Sequence, residues 1–372
     1  VGGLAHPVAL SGPRRRRLRR LLQALEDRGL AYILVSTPEN VEYLTGFPAA
    51  SHPPRGCHLI ASIEGLKLLL VSRLDLEEAE ELVDPCIEVV ELKSRLDEAV
   101  EKALKSEGKL GVELKYLSHE VVESLQRRLK AERLEDASGL VEELREVKGE
   151  EEVELIKRAV KATERAIQRG VEALVDGRSE REVAGVMEAE ARMMGADGTA
   201  FDTIVSCGSS SSQPHRPAGD GRPVRGEPIV IDVGVKVGGY CSDLSRTIVL
   251  GEPKPWLEEA IQAVLEAKRR AEEALRPQVR AGWVDSKARS LLRERGLAKR
   301  FIHGLGHGVG LSVHEAPTLA PKSRAKLKAG SVVTLEPGLY FKGRGGVRIE
   351  DLYLLVEGGA LKLSGLEELL VL

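Results

Sequence analysis

In the first third of the chain, short apolar runs alternate with stretches of helical period. Over residues 14–28, Leu18, Leu21, Leu22 and Leu25 make one stripe and arginines cover the other faces, which predicts an amphipathic helix. AYILVS (31–36) is an apolar run of strand length, and Pro38 opens a short helix through Tyr43. CHLIAS and LKLLLVS flank Glu64-Gly65 as a hairpin. A helix (74–83), strand (87–92), helix (96–104), strand (110–114) and helix (119–129) follow. That alternation predicts an α/β domain over residues 1–143.

A segment dense in Glu, Arg and Lys (139–152) marks a junction, and a second domain is expected over 144–372. Its pattern is different. A long amphipathic helix runs to about Leu174, and another spans 179–194, where Ser179 and Glu182 have capping-box spacing. A glycine-turned hairpin comes next. Helices at 256–275 and 284–295 and a second hairpin then repeat the plan. Helix-helix-hairpin, occurring twice, predicts an α+β domain with a weak internal repeat.

Composition narrows the classes. At 372 residues with 42% apolar content the chain can fill two cores. A net charge of −3 gives no reason to expect a nucleic acid or a membrane as partner, so the arginine run reads as a solvated helix face. No apolar run approaches the roughly 18 residues of a membrane helix. VGGLAHPVALSGPRRRR lacks the order of a signal peptide. Cys57, Cys86, Cys207 and Cys241 show no CxxC spacing, which predicts a reducing, cytoplasmic setting. Charged residues at 30%, three methionines and Asn40 as the lone asparagine suit a heat-adapted, thermostable protein. The first domain holds no phosphate loop or ligand cluster. His52 and His58 read as surface or core histidines, although the 49–56 loop could reach a neighbouring site.

The candidate chemistry lies in five stretches: VSCGSSSSQPH (205–215), IVIDVGVKVGGYCSDLSRT (229–247), HGLGHGVGLSVHE (303–315), VVTLEPGLY (332–340) and GVRIED (346–351). Each sets an acid or histidine within buried-strand sequence or a glycine-rich loop. Burying a carboxylate is costly unless a cation meets it. With a two-residue turn at Val237-Gly238, Asp232 and Asp243 become a directly opposed cross-strand pair, two like charges that a bare sheet would not tolerate. Glu336 and Glu350 are placed symmetrically about Gly343, as an odd-length loop requires, and His307 lies between the hairpins. Four carboxylates and an imidazole are too many anions for one zinc. They suit two divalent cations about 3.5–4 Å apart, with manganese or cobalt first and zinc or iron as alternatives. Such a centre suits hydrolysis. His215, His303, His314 and Arg348 are the candidates for moving protons and holding an oxyanion.

The order Asp232, Asp243, His307, Glu336, Glu350, with EPGLY and GVRIED intact, resembles the pita-bread metallopeptidases, and within them the Xaa-Pro dipeptidase and aminopeptidase P branch. The likeness is strong over residues 144–363 and weaker at PENVEYLTGF (38–47). It implies a creatinase-like N-terminal domain, a pita-bread catalytic domain with its metals between pseudo-symmetric halves, a homodimer, and cleavage of Xaa-Pro dipeptides. Cleavage of longer Xaa-Pro peptides is the alternative, and a non-catalytic binding protein or a metal-free creatinase type is disfavoured by the full ligand set. Glu336 would be both ligand and proton shuttle. His215 and His314 would steady the tetrahedral intermediate, His303 would line the proline pocket, and Arg348, with Tyr340 nearby, would hold the geometry. The chain departs from the family pattern at Arg216, where a small residue is usual, and at Ser245, where threonine is usual. A cap reading the substrate carboxylate is expected from the N-terminal domain or a partner subunit.

Overall fold

The computed structural model describes residues 12–51 and 54–372, so the readings for the chain before Gly12 and for His52 lie outside the described residues. The chain divides into two units, passing from one to the other between Arg145 and Glu146.

In the first unit, α1 (Pro13–Asp27) buries Leu18, Leu21 and Leu25. Its arginines are not merely solvated: Arg15 pairs with Asp84 at 2.8 Å and Arg17 lies over the Tyr43 ring at 4.5 Å. β1 (Tyr32–Val35), β2 (His58–Ser62), β3 (Lys67–Val71), β4 (Glu88–Glu91), β5 (Leu110–Val112) and β6 (Leu134–Asp136) form one sheet in the order β4-β3-β2-β1-β5-β6. The hairpin β2–β3 and the β1–β2 pair are antiparallel, whereas β1–β5, β3–β4 and β5–β6 are parallel, as helical crossovers require. The helices are α2 (Pro38–Thr45), α3 (Leu76–Leu82), α4 (Leu96–Ala103), α5 (His119–Leu129) and α6 (Leu140–Arg145). Tyr32, Leu34, Ile60, Val112 and Leu125 pack in its core, each stabilising by roughly 1.5–3 kcal/mol. His58 is a core histidine, its Nδ1 2.9 Å from Ser36 Oγ and its pKa pushed down to about 4 by burial.

The second unit opens with α7 (Glu150–Val175) and α8 (Glu180–Met193), and the Ser179–Glu182 capping box forms. Short β7 (Gly198–Thr199) precedes β8 (Ile204–Cys207). The first hairpin comprises β9 (Pro228–Val233), β10 (Val235–Val237), β11 (Tyr240–Cys241) and β12 (Leu244–Val249). After α9 (Pro255–Ala274) and α10 (Ala281–Glu294) come β13 (Gly306–Gly308), β14 (Glu315–Leu319), β15 (Val332–Leu335), β16 (Gly338–Phe341), β17 (Gly345–Arg348), β18 (Asp351–Val356), β19 (Gly359–Lys362) and β20 (Leu369–Val371). One sheet runs β20-β12-β9-β8 and another β14-β13-β15-β18-β19, so each helix pair is followed by strands of its own sheet.

The two hairpins differ from each other in how well spacing predicts register. In the second, Val332↔Leu354 through Phe341↔Gly345 keep one register about Gly343, and Glu336 and Glu350 occupy matched positions in the break between two ladders. In the first, Val237 pairs with Tyr240, so the turn is Gly238-Gly239 and the register is two residues off the expected one. Both glycines have positive φ, 55° and 79°, as a two-residue turn of this hand demands and a β-branched valine would resist. Asp232 therefore faces Ser245, not Asp243. A slip of two residues keeps every side chain on its original face, so Asp243 remains a diagonal neighbour of Asp232.

Candidate metal centre

Interrupted strands carry the acids. Asp232 is the penultimate residue of β9, Asp243 immediately precedes β12, and Glu336 and Glu350 sit just outside β15 and β18. His307 is central in β13, where its N–H donates to Thr334 Oγ1 at 3.1 Å and fixes it against β15. Donor atoms of Asp232, Asp243 and Glu350 lie within 4.8 Å of one another, as do those of His307, Glu336 and Glu350. A third such group joins Asp243 and His307 to His314. His307 Nε2 is 3.6 Å from Asp243 and 3.5 Å from Glu336.

The donors are poised for cations. Asp232 Oδ1 and Glu350 Oε1 are buried without a hydrogen-bond partner, an arrangement that costs free energy unless something positive fills the space between them. Burial pushes the Glu336 carboxyl up to about 8, with Arg348 opposing. Burial and then the neighbouring carboxylates raise Asp243 and Glu350 well above the usual range. Burial holds His307 down near 4, so its imidazole is neutral. Its Nδ1 lies 3.1 Å from Gly308 O, which accepts the Nδ1–H and leaves the Nε2 lone pair facing the acids. The residues present therefore fit a pair of divalent cations, the oxygen-rich ligation that hard and borderline metals take.

A second layer steadies them. Ser245 Oγ donates to Glu350 Oε2 at 2.8 Å and accepts from Arg348 Nε at 2.9 Å. Arg348 Nη2 donates to Asp232 Oδ2 at 2.5 Å and Nη1 to the Tyr340 hydroxyl at 2.8 Å. That hydroxyl lies 3.0 Å from His303 Nε2, whose Nδ1–H faces Gly304 O at 2.8 Å. Burial lowers the His303 pKa to about 4 and lifts Tyr340 to about 12, so both are neutral hydrogen-bonding groups. The five candidate ligands line one cavity of 430 Å³ with His215, His303, His314 and Arg348. His314 stands in a bend, and its ring meets that of His307 edge to face at 4.3 Å.

Two supporting residues carry little sequence signal. Glu180 is buried at the start of α8, where an acid is explained by the helix dipole alone. Yet its carboxylate accepts from Cys207 N at 2.7 Å, Ser210 Oγ at 3.0 Å and Gly219 N at 2.9 Å, closing the base of the loop that bears His215. Arg246 is fully buried beside Ser245. It donates to Glu350 O, Ser245 O, Leu366 O and Glu367 O, and to Asp351 at 2.6 Å. An arginine inside an apolar strand was the only hint.

With this geometry in view, the likeness to known proteins is specific. Residues 154–357 match the model of metallopeptidase family M24, and residues 17–147 that of the creatinase/prolidase N-terminal domain. The chain is 37% identical to an Xaa-Pro dipeptidase of Pyrococcus furiosus over 94% of its own length and 98% of the relative's. The crystal structure of the prolidase from Pyrococcus horikoshii superposes with a TM-score of 0.88 at 34% identity, covering 95% of this chain and 99% of that one. An X-Pro aminopeptidase structure from Thermotoga maritima gives 0.84 at 31% identity, covering 94% and 100%. A creatinase-type first domain followed by this catalytic domain, and two hairpins of acids meeting a β13 histidine, make the chain a member of metallopeptidase family M24.

Proposed function

We propose that this metallopeptidase hydrolyses Xaa-Pro dipeptides, with Asp232, Asp243, His307, Glu336 and Glu350 holding two divalent cations. The observation that carries the reading is the convergence of these five residues, two of them with orphaned buried oxygens, on a cavity that three further histidines share. When bound, two such cations supply Lewis acidity, activating water near neutral pH and polarising a carbonyl oxygen.

The chain's own residues do the rest. Glu336 is the most open of the hairpin acids, with 19% of its side chain exposed against 14% for Asp232 and 6% for Asp243. It takes the proton from the attacking water and returns it to the prolyl nitrogen as the bond breaks. His215 and His314, on opposite loops, donate to the oxygen on which charge develops. Arg348 fixes the positions of Asp232, Ser245 and Tyr340, and His303 presents a neutral ring to the proline. A prolyl bond has no N–H, so this site gains by cupping the ring where other peptidases lose a donor contact.

Manganese or cobalt as the working metal, a homodimeric assembly, thermostability and a cytoplasmic setting belong to the same proposal. Among the described residues no helix is long and apolar enough to cross a membrane, and all four cysteines are free. Metal analysis combined with hydrolysis of Ala-Pro against Ala-Pro-Ala tests the reading. Two equivalents of metal and preference for Ala-Pro are expected; preference for Ala-Pro-Ala would make it an aminopeptidase P, and cleavage of neither would end the proposal.

A further inference from the structure

Behind the wall of the metal cavity lies a cluster of charges that the proposed chemistry does not use. Asp351 is fully buried, with Arg246 at 2.6 Å and Lys268 and Lys362 each at 2.8 Å. Lys268, on α9 and 1% exposed, also reaches Glu272 at 2.7 Å and Glu368 at 2.6 Å. Lys362 meets Glu368 at 3.0 Å, and Ser364 Oγ donates to Asp351. Three cations and three acids thus share a site where well-packed apolar side chains would serve stability as well or better. Fixing a register is the use of such a cluster that packing does not replace.

The register concerned is that of Glu350. Neighbouring residues of an extended chain point to opposite faces, so Glu350 lines the metal cavity while Asp351 turns to the far side, toward α9. Glu350 is the acid common to the Asp232–Asp243–Glu350 and His307–Glu336–Glu350 groups. Its own hairpin does not hold it, because the ladder of β15 and β18 ends at Leu335↔Asp351 and that of β16 and β17 at Gly338↔Arg348. Its backbone is held from β12 instead: the Glu350 N–H donates to Ser245 O at 3.0 Å, and its carbonyl accepts from Arg246 Nη1 at 2.5 Å. Arg246 is held in turn by Asp351, and Asp351 by Lys268.

α9 grips β18 at two points in step. Lys268 and Glu272 lie one turn apart on the helix, Asp351 and Tyr353 lie on one face of the strand, and Lys268 meets Asp351 while the Tyr353 hydroxyl donates to Glu272. A one-residue slip of β18 would break both contacts and turn Glu350 away from the cavity. Glu368, from the segment before β20, closes the cluster on its open side, with 35% of its side chain exposed. We propose that Lys268 is a positioning residue for the metal pair: through Asp351 and Arg246 it holds Glu350 where both groups of donors can use it, and Glu368 holds Lys268. The inference rests on the proposed function, since without two cations Glu350 has nothing to share.

The test titrates metal-free wild type, Lys268→Met, Lys268→Arg and Glu368→Gln with manganese against a competing chelator. The dissociation constant rises about 10–100-fold in Lys268→Met, the loss typical when a group supporting a metal ligand is removed. Lys268→Arg, which keeps the charge, recovers part of the affinity, and Glu368→Gln loosens the metal less than Lys268→Met does. In the paramagnetic resonance spectrum of protein given two equivalents, Lys268→Met shows isolated manganese where wild type shows a coupled pair, a change that lost stability alone does not produce. A dissociation constant and a coupled signal both unchanged in Lys268→Met, with only the melting temperature lowered, would overturn this inference alone. Should Lys268→Met fail to fold, the part-exposed Glu368→Gln carries the test, and an unchanged dissociation constant there would overturn it equally. A wild type that takes up fewer than two equivalents would overturn the parent reading with it.

Discussion

Removing the metals should make the protein sensitive to mild alkali, in a direction and a window set by the acids themselves. In the metal-free fold Glu336 holds its proton up to about pH 8, against 4.5 for an ordinary glutamate, and Asp243 and Glu350 are raised as well. The folded state thus binds these protons more tightly than the unfolded chain does. The stability they contribute is complete below the unfolded value and is lost as pH rises through the folded one. The histidines act in the opposite sense. His303 and His307 are held down near 4 from 6.5, so what they contribute is present above 6.5 and lost only as pH falls toward 4.

Between about pH 6.5 and 8 the acids therefore act alone. At 1.36 kcal/mol per pH unit, Glu336 by itself accounts for about 2 kcal/mol over that interval. Asp243 and Glu350 add to it, although the three share their repulsion and do not sum. About 2–4 kcal/mol on a unit of this size lowers Tm by roughly 4–16 °C. The assay is calorimetry of chelator-treated and manganese-loaded protein at matched ionic strength across that interval. Bound cations take the place of the protons, so the loaded form should stay nearly level while the metal-free form declines, and metal uptake at the lower pH should release protons to the buffer. A metal-free Tm that is flat or rising, or a loaded form that declines in parallel, would refute the claim that these acids face one another unpaired.

Substitutions at three positions probe the rest of the site. Asp232→Asn should lower kcat by at least about a hundredfold while leaving the far-UV spectrum unchanged, more than the loss of a supporting residue costs; near-normal turnover on Ala-Pro would remove Asp232 from the ligand set. Glu180→Ala leaves the buried Cys207 and half-buried Gly219 N–H groups without an acceptor and should cost roughly 2–5 kcal/mol by urea titration. Glu180→Gln turns a donor toward one of those donors and should cost less, with KM rising in both; an unchanged KM would detach Glu180 from the His215 loop. Arg246→Met takes one of three cations from Asp351 and the shared donor from four carbonyl oxygens, so a loss of about 3–5 kcal/mol is expected. A neutral outcome would mean that the neighbouring Lys268 and Lys362, both 2.8 Å from Asp351, suffice to hold that carboxylate.

What the sequence made legible follows from which constraints are local. Acids at matched distances about a glycine turn are visible because strand pairing converts spacing into proximity, and the Glu336–Glu350 relation about Gly343 needs nothing else. The Asp232–Asp243 relation was read with the wrong turn, since the choice between Val237-Gly238 and Gly238-Gly239 depends on φ at both central residues. The face survived because the strand period is two, so an even slip exchanges the direct partner and keeps the side. Ser245 shows what the slip concealed: placed opposite Asp232 and bonded to both Glu350 and Arg348, it links the two hairpins, yet in SDLSRT it reads as an ordinary strand hydroxyl. Long-range partners leave no such trace. Arg246 meets Asp351 and the chain at Leu366 and Glu367, and β20 adds in parallel to β12, all more than a hundred residues away. Glu180 reaches Gly219 from the first turn of a helix whose dipole already accounts for an acid there. A residue whose local explanation is sufficient hides its distant one, and for that reason the candidate ligands and Arg348 could be brought together from the chain while Glu180 and Arg246 could not.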